Sequence, residues 1–280
     1  MVPAARASCA FSPIVPLLLL FCSIAPARPA AAWTWLPEER TLPAPAADPR
    51  EPGLGFALVE DGIVSARVGH SFALGRARPD GGVEAGLDGL AWLWFSTQPR
   101  LNFPLETIDG TFAVWAGARG DRLSWRLRLA HWSGHLGDGA ANIEDRRFVY
   151  SRESLSGLVF WDANPHLQLY GGPGLFVRAD PPTPAFQLQF GGEVRPDRAT
   201  RRGNERRPAH VDPFLAIDFR AKAENAMRVN QSYRVGLRLA GAPGGNALRV
   251  ALGYDSGRSE RGQFWQTTEN YISVGCTFGD

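Results

Sequence analysis

Two side chains that could act together in nucleophilic chemistry lie two positions apart in the sequence, His131 and Ser133. In a β-strand this spacing puts both side chains on one face. An imidazole beside a hydroxyl is the minimum needed for a base-activated serine nucleophile. A third group should orient the imidazole and stabilise its cation. Asp145, fourteen residues after His131 and next to Glu144, is the candidate for that role.

The same segment has two other interpretations. His131, His135 and Asp138 offer ligands for a divalent cation, but their spacing matches no specific metal signature, so no metal ligand is assigned. His131 is also typical of an interfacial side chain at the end of an aromatic belt.

The sequence contains no cofactor motif, and we therefore predict no cofactor.

Alternation of apolar and polar residues along most of the chain predicts β-strands. In several segments the alternation continues over ten or more residues. A strand that crosses a membrane needs about 9–11 residues, whereas the average strand of a globular protein is shorter. The pattern predicts twelve strands, at residues 54–60, 64–77, 83–95, 107–118, 122–134, 149–162, 165–178, 184–195, 211–222, 227–240, 246–255 and 268–278. We therefore predict an all-β fold, an up-and-down antiparallel transmembrane β-barrel of about 12 strands.

The alternation also predicts which residues face lipid. In the fifth predicted strand, leucine and tryptophan side chains occupy the face that carries His131 and Ser133, so the pair is expected on the lipid-facing wall. The predicted topology places this strand end on the extracellular side. The nine tryptophans suit interfacial girdles, with core packing as the alternative.

The N-terminal region predicts export. Residues 1–32 have the order of a secretory signal peptide, with cleavage after Ala27 or Ala32. Residues 33–53 are rich in proline and lack alternation, which predicts a periplasmic N-terminal extension. Residues 54–280 then form the predicted barrel. Cys276 is the one cysteine left after cleavage, so an internal disulfide is excluded.

Charge narrows the classes of function. A formal net charge of +2 over 280 residues gives no electrostatic basis for binding nucleic acid. Parity places many charged and polar side chains in the lumen: Arg126, Arg128, Arg220, Arg234, Arg238, Arg249, Gln187, Gln189, Glu193, Asp218 and Asp255. Rings of charge can select solutes in a pore, whereas paired arginine and carboxylate networks fill a narrow barrel.

Three sets of residues resemble known families. Short landmarks at residues 47–52, 131–138, 169–172 and 262–264 are similar to an uncharacterised bacterial family, domain of unknown function 1207, which has the appearance of an outer-membrane barrel. The last strand, ending in an almost terminal aromatic, resembles the C-terminal recognition strand of outer-membrane proteins. This likeness implies the barrel-assembly machinery as a partner and the bacterial outer membrane as the location.

The His-x-Ser pair resembles that of outer-membrane phospholipases and lipid A deacylases. The resemblance implies His131 as general base, Ser133 as nucleophile and Asp145 as orienting group, with an acyl ester of a membrane lipid as substrate. Gly134 departs from the phospholipase pattern, which usually has asparagine there.

Together these features predict an outer-membrane β-barrel of unknown specific activity, with a structural or binding role. Two alternatives stand beside it, a lipid acyl hydrolase using His131 and Ser133, and a small diffusion channel with an arginine-rich lumen. Whether the protein is an enzyme, and its oligomeric state, stay open.

Overall fold

Twelve strands form a barrel in the computed structural model, which describes residues 33–37, 40–77, 82–97, 103–140, 149–196, 210–240 and 247–279. The predicted signal peptide at residues 1–32 lies outside the described residues. The strands are β1 (Trp33–Trp35), β2 (Leu54–Val59), β3 (Ile63–Ala77), β4 (Val83–Ser96), β5 (Leu105–Arg119), β6 (Leu123–Leu136), β7 (Tyr150–Asp162), β8 (Leu167–Asp180), β9 (Phe186–Val194), β10 (His210–Lys222), β11 (Val229–Ala240), β12 (Ala247–Arg258) and β13 (Thr268–Phe278).

The sheet closes on itself. From β2 to β13 each strand pairs antiparallel with the next along the chain, and β2 pairs with β13 from Leu54–Phe278 to Val59–Ser273. This arrangement confirms the predicted up-and-down barrel of twelve strands. The short β1 was not predicted, and it extends the sheet beside the end of β3, where Trp33 pairs with Ala77.

The exposed surface of the barrel is apolar and its interior is polar. On β6, Leu127 is 51 % exposed while the neighbouring Arg126 is 3 % exposed. The same alternation holds on the other long strands, so large apolar side chains cover the outer wall. The tryptophans divide between the two faces: Trp125 and Trp161 lie outside, whereas Trp92 and Trp94 pack inside the barrel.

Short 3-10 turns at Glu60–Gly62, Ala223–Asn225 and Gly262–Phe264 connect strands. Within the described residues, no helix is long and apolar enough to cross a membrane.

The predicted periplasmic extension is partly an interior element. Residues 40–53, here called the lumen segment, run through the barrel and bury Leu42 against Trp115 and Ala47 against Phe214. Residues 33–53 are predicted as a periplasmic N-terminal extension, and within them residues 40–53 carry charges that pair with side chains of the barrel interior.

Three charged residues of the lumen segment hold it in place. Both carboxylate oxygens of Glu51 accept hydrogen bonds from Arg126, at 2.6 and 2.9 Å. Asp48 accepts one from Arg220 at 2.6 Å. Arg50 forms an ion pair of 2.8 Å with Glu260, which lies in the loop between β12 and β13. Several of the arginines predicted to face the lumen therefore do so, and they are paired with carboxylates.

The occupied lumen bears on the diffusion-channel alternative. Along residues 40–53 the barrel interior holds protein, and two cavities that the described residues line beside that segment are small, with volumes of about 70 Å³ and about 40 Å³. The predicted arginine-rich lining is present, but in this conformation it is largely engaged in ion pairs rather than lining an open passage. We therefore do not base the function on conduction.

Docking of the lumen segment should depend on pH. Burial raises the pKa of the Glu51 carboxyl, but the charge and hydrogen bonds of Arg126 outweigh burial and lower this pKa from 4.5 to about 2. A folded-state pKa below that of the released segment means that the stabilisation is complete above about pH 4.5 and is lost as the pH falls to about 2. Conductance of the reconstituted barrel should therefore stay constant down to about pH 5 and rise toward about pH 2. A flat profile down to about pH 2 would contradict this coupling.

Candidate active site on the outer wall

The alternation of β6 places His131 on the outer wall. Ser133 has the same strand parity as His131, and Trp132 and Ser133 are both partly exposed. His131 is 49 % exposed, and Ser133 is partly exposed. They lie near the end of the barrel at which β6 ends and β7 begins, here called the upper end. The two residues are thus presented on one surface, as the i, i+2 spacing in a strand requires.

An acidic side chain on the neighbouring strand completes the group. His131 is the register partner of Glu153 on β7, and the Nδ1 of His131 lies 3.9 Å from the Oε1 of Glu153. Glu153 is 39 % exposed and shares the outer wall with the pair. The distance exceeds a hydrogen bond, and such contacts in unliganded sites often tighten when substrate binds. His131, Ser133 and Glu153 are here called the outer-wall triad.

The structure thus supplies an acid that the sequence analysis did not select. Asp145, the predicted orienting residue, and its neighbour Glu144 lie outside the described residues. The sequence did contain information about Glu153, because the alternation in the predicted strand 149–162 places this residue on the lipid-facing side. What the sequence lacked was the pairing register between β6 and β7.

A bulge brings a cation to the same row. Glu153 pairs with Arg178 on β8, and the register shifts after Glu153 so that Ser154 pairs with Phe176. Because of this extra residue in β8, the side chain of Arg178 points to the outer wall, and it is 75 % exposed. The Nη1 of Arg178 lies 3.6 Å from the Oε1 of Glu153, the oxygen that faces His131. Glu153 therefore stands between one cation and the imidazole.

The triad lies at the border of the apolar wall. The outward residues one step further from the upper end are the register partners Leu129, Leu155 and Leu175. All three are exposed large apolar side chains. Polar side chains begin in the next row, at His131 and Glu153. Such a border places reactive groups where the ester region of a lipid would meet its acyl chains.

A glycine leaves room beside the Ser133 hydroxyl. Gly110 on β5 is the register partner of Ser133, and a Cβ placed on it would lie 3.3 Å from the Oγ of Ser133. A larger side chain at this position would therefore crowd the hydroxyl. Phe112, the partner of His131, is exposed and continues the apolar surface beside the triad.

Gly134 has a structural role at the point where the sequence departs from the phospholipase pattern. It is buried, and a Cβ there would lie 2.5 Å from the Oδ1 of Asp109 and 2.8 Å from the Cα of Gly262. The side chain of Gln263 donates a hydrogen bond of 2.7 Å to the Gly134 carbonyl. Glycine here lets the loop between β12 and β13 pack against β6. A side chain at position 134 would face inward, away from Ser133.

The described part of the chain does not bring His131, His135 and Asp138 together as ligands of a metal ion. His135 and Asp138 are exposed beyond Ser133. Among the described residues, no group of three or more histidine, cysteine, aspartate or glutamate side chains is arranged to hold a metal ion.

Comparison with solved structures gives the class of the barrel. Outer membrane phospholipase A from Escherichia coli matches with a TM-score of 0.53 at 13 % identity, covering 86 % of this chain and 95 % of that chain. The Salmonella typhi outer membrane phospholipase dimer with bound calcium matches with a TM-score of 0.51 at 14 % identity, covering 83 % and 94 %. LpxR from Salmonella typhimurium has a TM-score of 0.40 at 12 % identity, over 78 % and 88 %. The two phospholipase structures and the apolar outer wall define this protein as an outer-membrane-type β-barrel.

The family follows from the sequence itself. The chain belongs to the family described as protein of unknown function (DUF1207), whose family model matches residues 77–279. This confirms the resemblance found from the short landmarks. No curated protein matches the sequence.

Proposed function

We propose that this protein is a lipid acyl hydrolase of the bacterial outer membrane, acting on acyl esters that reach it from the bilayer. The observation that carries the proposal is that His131 and Ser133 share one face of β6 while Glu153 on β7 lies 3.9 Å from the His131 ring, at the edge of the apolar surface. The phospholipase fold of the two similar structures supports the proposal as well.

The triad can perform acyl transfer by general base catalysis. The Oγ of Ser133 attacks the carbonyl carbon of the ester, and the Nε2 of His131 accepts the hydroxyl proton. Glu153, facing Nδ1, stabilises the imidazolium that forms. Collapse of the tetrahedral intermediate breaks the ester C–O bond, and His131 returns the proton to the leaving alcohol. Water then attacks the acyl-serine with His131 again as base, which releases the fatty acid.

The surroundings of the triad suit a lipid rather than a soluble ester. The acyl chains would lie along the exposed apolar side chains of β5 to β8, while the headgroup lies beside the polar upper end. The opening beside Ser133 left by Gly110 gives the carbonyl access to the hydroxyl. Arg178 adds a positive charge on the headgroup side, which favours a phosphate-bearing lipid.

Mass spectrometry of total membrane lipids tests the proposal. Cells expressing the wild type should accumulate lysophospholipid or deacylated lipid A, and cells expressing Ser133→Ala should not. The matched control is Ser151→Ala, because Ser151 pairs with Ser133 on the adjacent strand. Identical lipid profiles from the three strains, with each barrel assembled in the outer membrane, would refute the proposal.

Replacement of Glu153 tests its orienting role. Glu153→Ala is expected to lower kcat by about 100-fold or more, because the imidazolium loses the charge and the contact at Nδ1. Glu153→Gln keeps an acceptor oxygen and should retain more activity than the alanine variant. Full activity of Glu153→Ala would exclude Glu153 and leave Asp145 as the candidate for the orienting residue.

A further inference from the structure

A cavity lies inside the barrel, lined by strands other than β6 and β7, which carry the outer-wall triad. It has a volume of about 70 Å³ and lies between Ala46 and Pro49 of the lumen segment and the interior faces of several strands, chiefly β2, β3, β12 and β13. This volume holds several water molecules or one small ion. The cavity shares no residue with the triad, so it is a separate feature of the protein.

The lining of this cavity carries an excess of positive charge. Arg67, Arg234 and Arg249 line it, together with a single carboxylate, Asp255. Arg234 contacts Asp255 at 3.0 Å, which offsets one of the charges. Arg249 lies 3.7 Å from Glu193.

Arg67 differs from these two arginines. Among the described residues it has no hydrogen-bond partner and no carboxylate within 4.0 Å. Its electrostatic surroundings combine a second cation, Arg234, with the more distant carboxylates of Asp48 and Asp255. A guanidinium inside a barrel that contacts no carboxylate directly is costly, and an anion brought into the cavity would relieve that cost.

We propose that the cavity is a binding site for a small oxyanion of the phosphate type, held chiefly by Arg67 and Arg234. A guanidinium presents parallel N–H donors that match the oxygens of phosphate. The hydroxyl-bearing residues Ser273 and Tyr271 line the same cavity and can supply further hydrogen bonds. The anion would then brace the lumen segment against β3 and β11.

Isothermal titration calorimetry of the purified, detergent-solubilised barrel with inorganic phosphate tests this site. The wild type should show saturable binding that chloride at matched ionic strength does not reproduce. Arg67→Gln should weaken that binding at least about 10-fold, because the unpaired guanidinium is removed. The control is Arg228→Gln, which removes an exposed arginine outside the cavity and should bind as the wild type does.

Two results would overturn the site. Absence of saturable phosphate binding to the wild type does so without any variant. If the wild type and a folded Arg67→Gln barrel bind phosphate with equal affinity, phosphate binds outside this cavity. If Arg67→Gln fails to fold, Arg67→Lys keeps the charge but not the paired donors, and its affinity should still fall below that of the wild type.

Discussion

Ser133→Ala in the purified barrel is expected to reduce the turnover of phospholipid esters by about 10⁴-fold or more. This is the size of loss seen when a triad nucleophile is removed, because the covalent route disappears altogether. The variant should fold normally, since Ser133 is partly exposed and the substitution removes only its hydroxyl. Turnover is measured as fatty acid release from mixed micelles.

The strand pairing provides an unusually close control for this experiment. Ser151 faces the same side, pairs with Ser133 and lies two residues from Glu153 rather than from a histidine. Ser151→Ala should therefore retain wild-type turnover. If Ser133→Ala and Ser151→Ala both lose activity, the substitutions have disturbed the outer wall itself. If both variants retain activity, Ser133 is not the nucleophile.

Glu51→Gln is expected to destabilise the barrel by about 3 kcal/mol, the lower end of the range for breaking a buried ion pair. The cause is Arg126, which would keep its charge inside the lumen after losing a bidentate carboxylate partner. Urea unfolding in detergent micelles measures the change. Glu60→Gln, an exposed glutamate in the turn after β2, serves as control and should change stability by less than about 0.5 kcal/mol.

A double variant separates charge from packing in this prediction. Glu51→Leu combined with Arg126→Met removes both charges and should recover most of the lost stability, because apolar pairs can replace buried ion pairs at little cost. If Glu51→Gln alone unfolds at the wild-type urea concentration, the lumen segment does not depend on this pair. The conductance and pH dependence expected from Glu51 would then fail as well.

The barrel wall was predictable because alternation reports directly on which side of a strand meets lipid and which meets the lumen. On β6 the leucines and arginines separate without exception from Leu123 to Leu129. Strand length then distinguished a membrane-type barrel from a soluble sandwich. Each of the twelve predicted strands corresponds to one of the twelve strands of the observed barrel, with ends that differ by a few residues.

The lumen segment was missed because it has no periodicity. Its docking depends on single charged residues such as Asp48 and Glu51, whose partners on β10 and β6 are far away in sequence. Proline content suggested a solvated extension, and only the tertiary structure shows those charges meeting arginines. One signal was present, since the landmark at residues 47–52 carried a family resemblance in a region predicted to lie outside the barrel.

The nucleophile and base of the proposed site could be selected from spacing alone, whereas the acid could not. His131 and Ser133 lie on one strand, so their relative position follows from strand geometry. Glu153 lies on the next strand, and its position beside His131 depends on the pairing register between β6 and β7. The sequence pattern selected Asp145, fourteen residues after His131, whereas strand pairing selects Glu153, twenty-two residues after His131.

Labelling of the wild-type barrel in lipid vesicles with a fluorophosphonate, followed by peptide mapping, shows directly whether Ser133 is an activated nucleophile. A covalent adduct is expected on Ser133, and none on Ser151. His131→Asn is expected to abolish labelling although the serine is still present, because the base that activates it is gone. A folded, membrane-embedded barrel that acquires no adduct on Ser133 would contradict the proposed hydrolase.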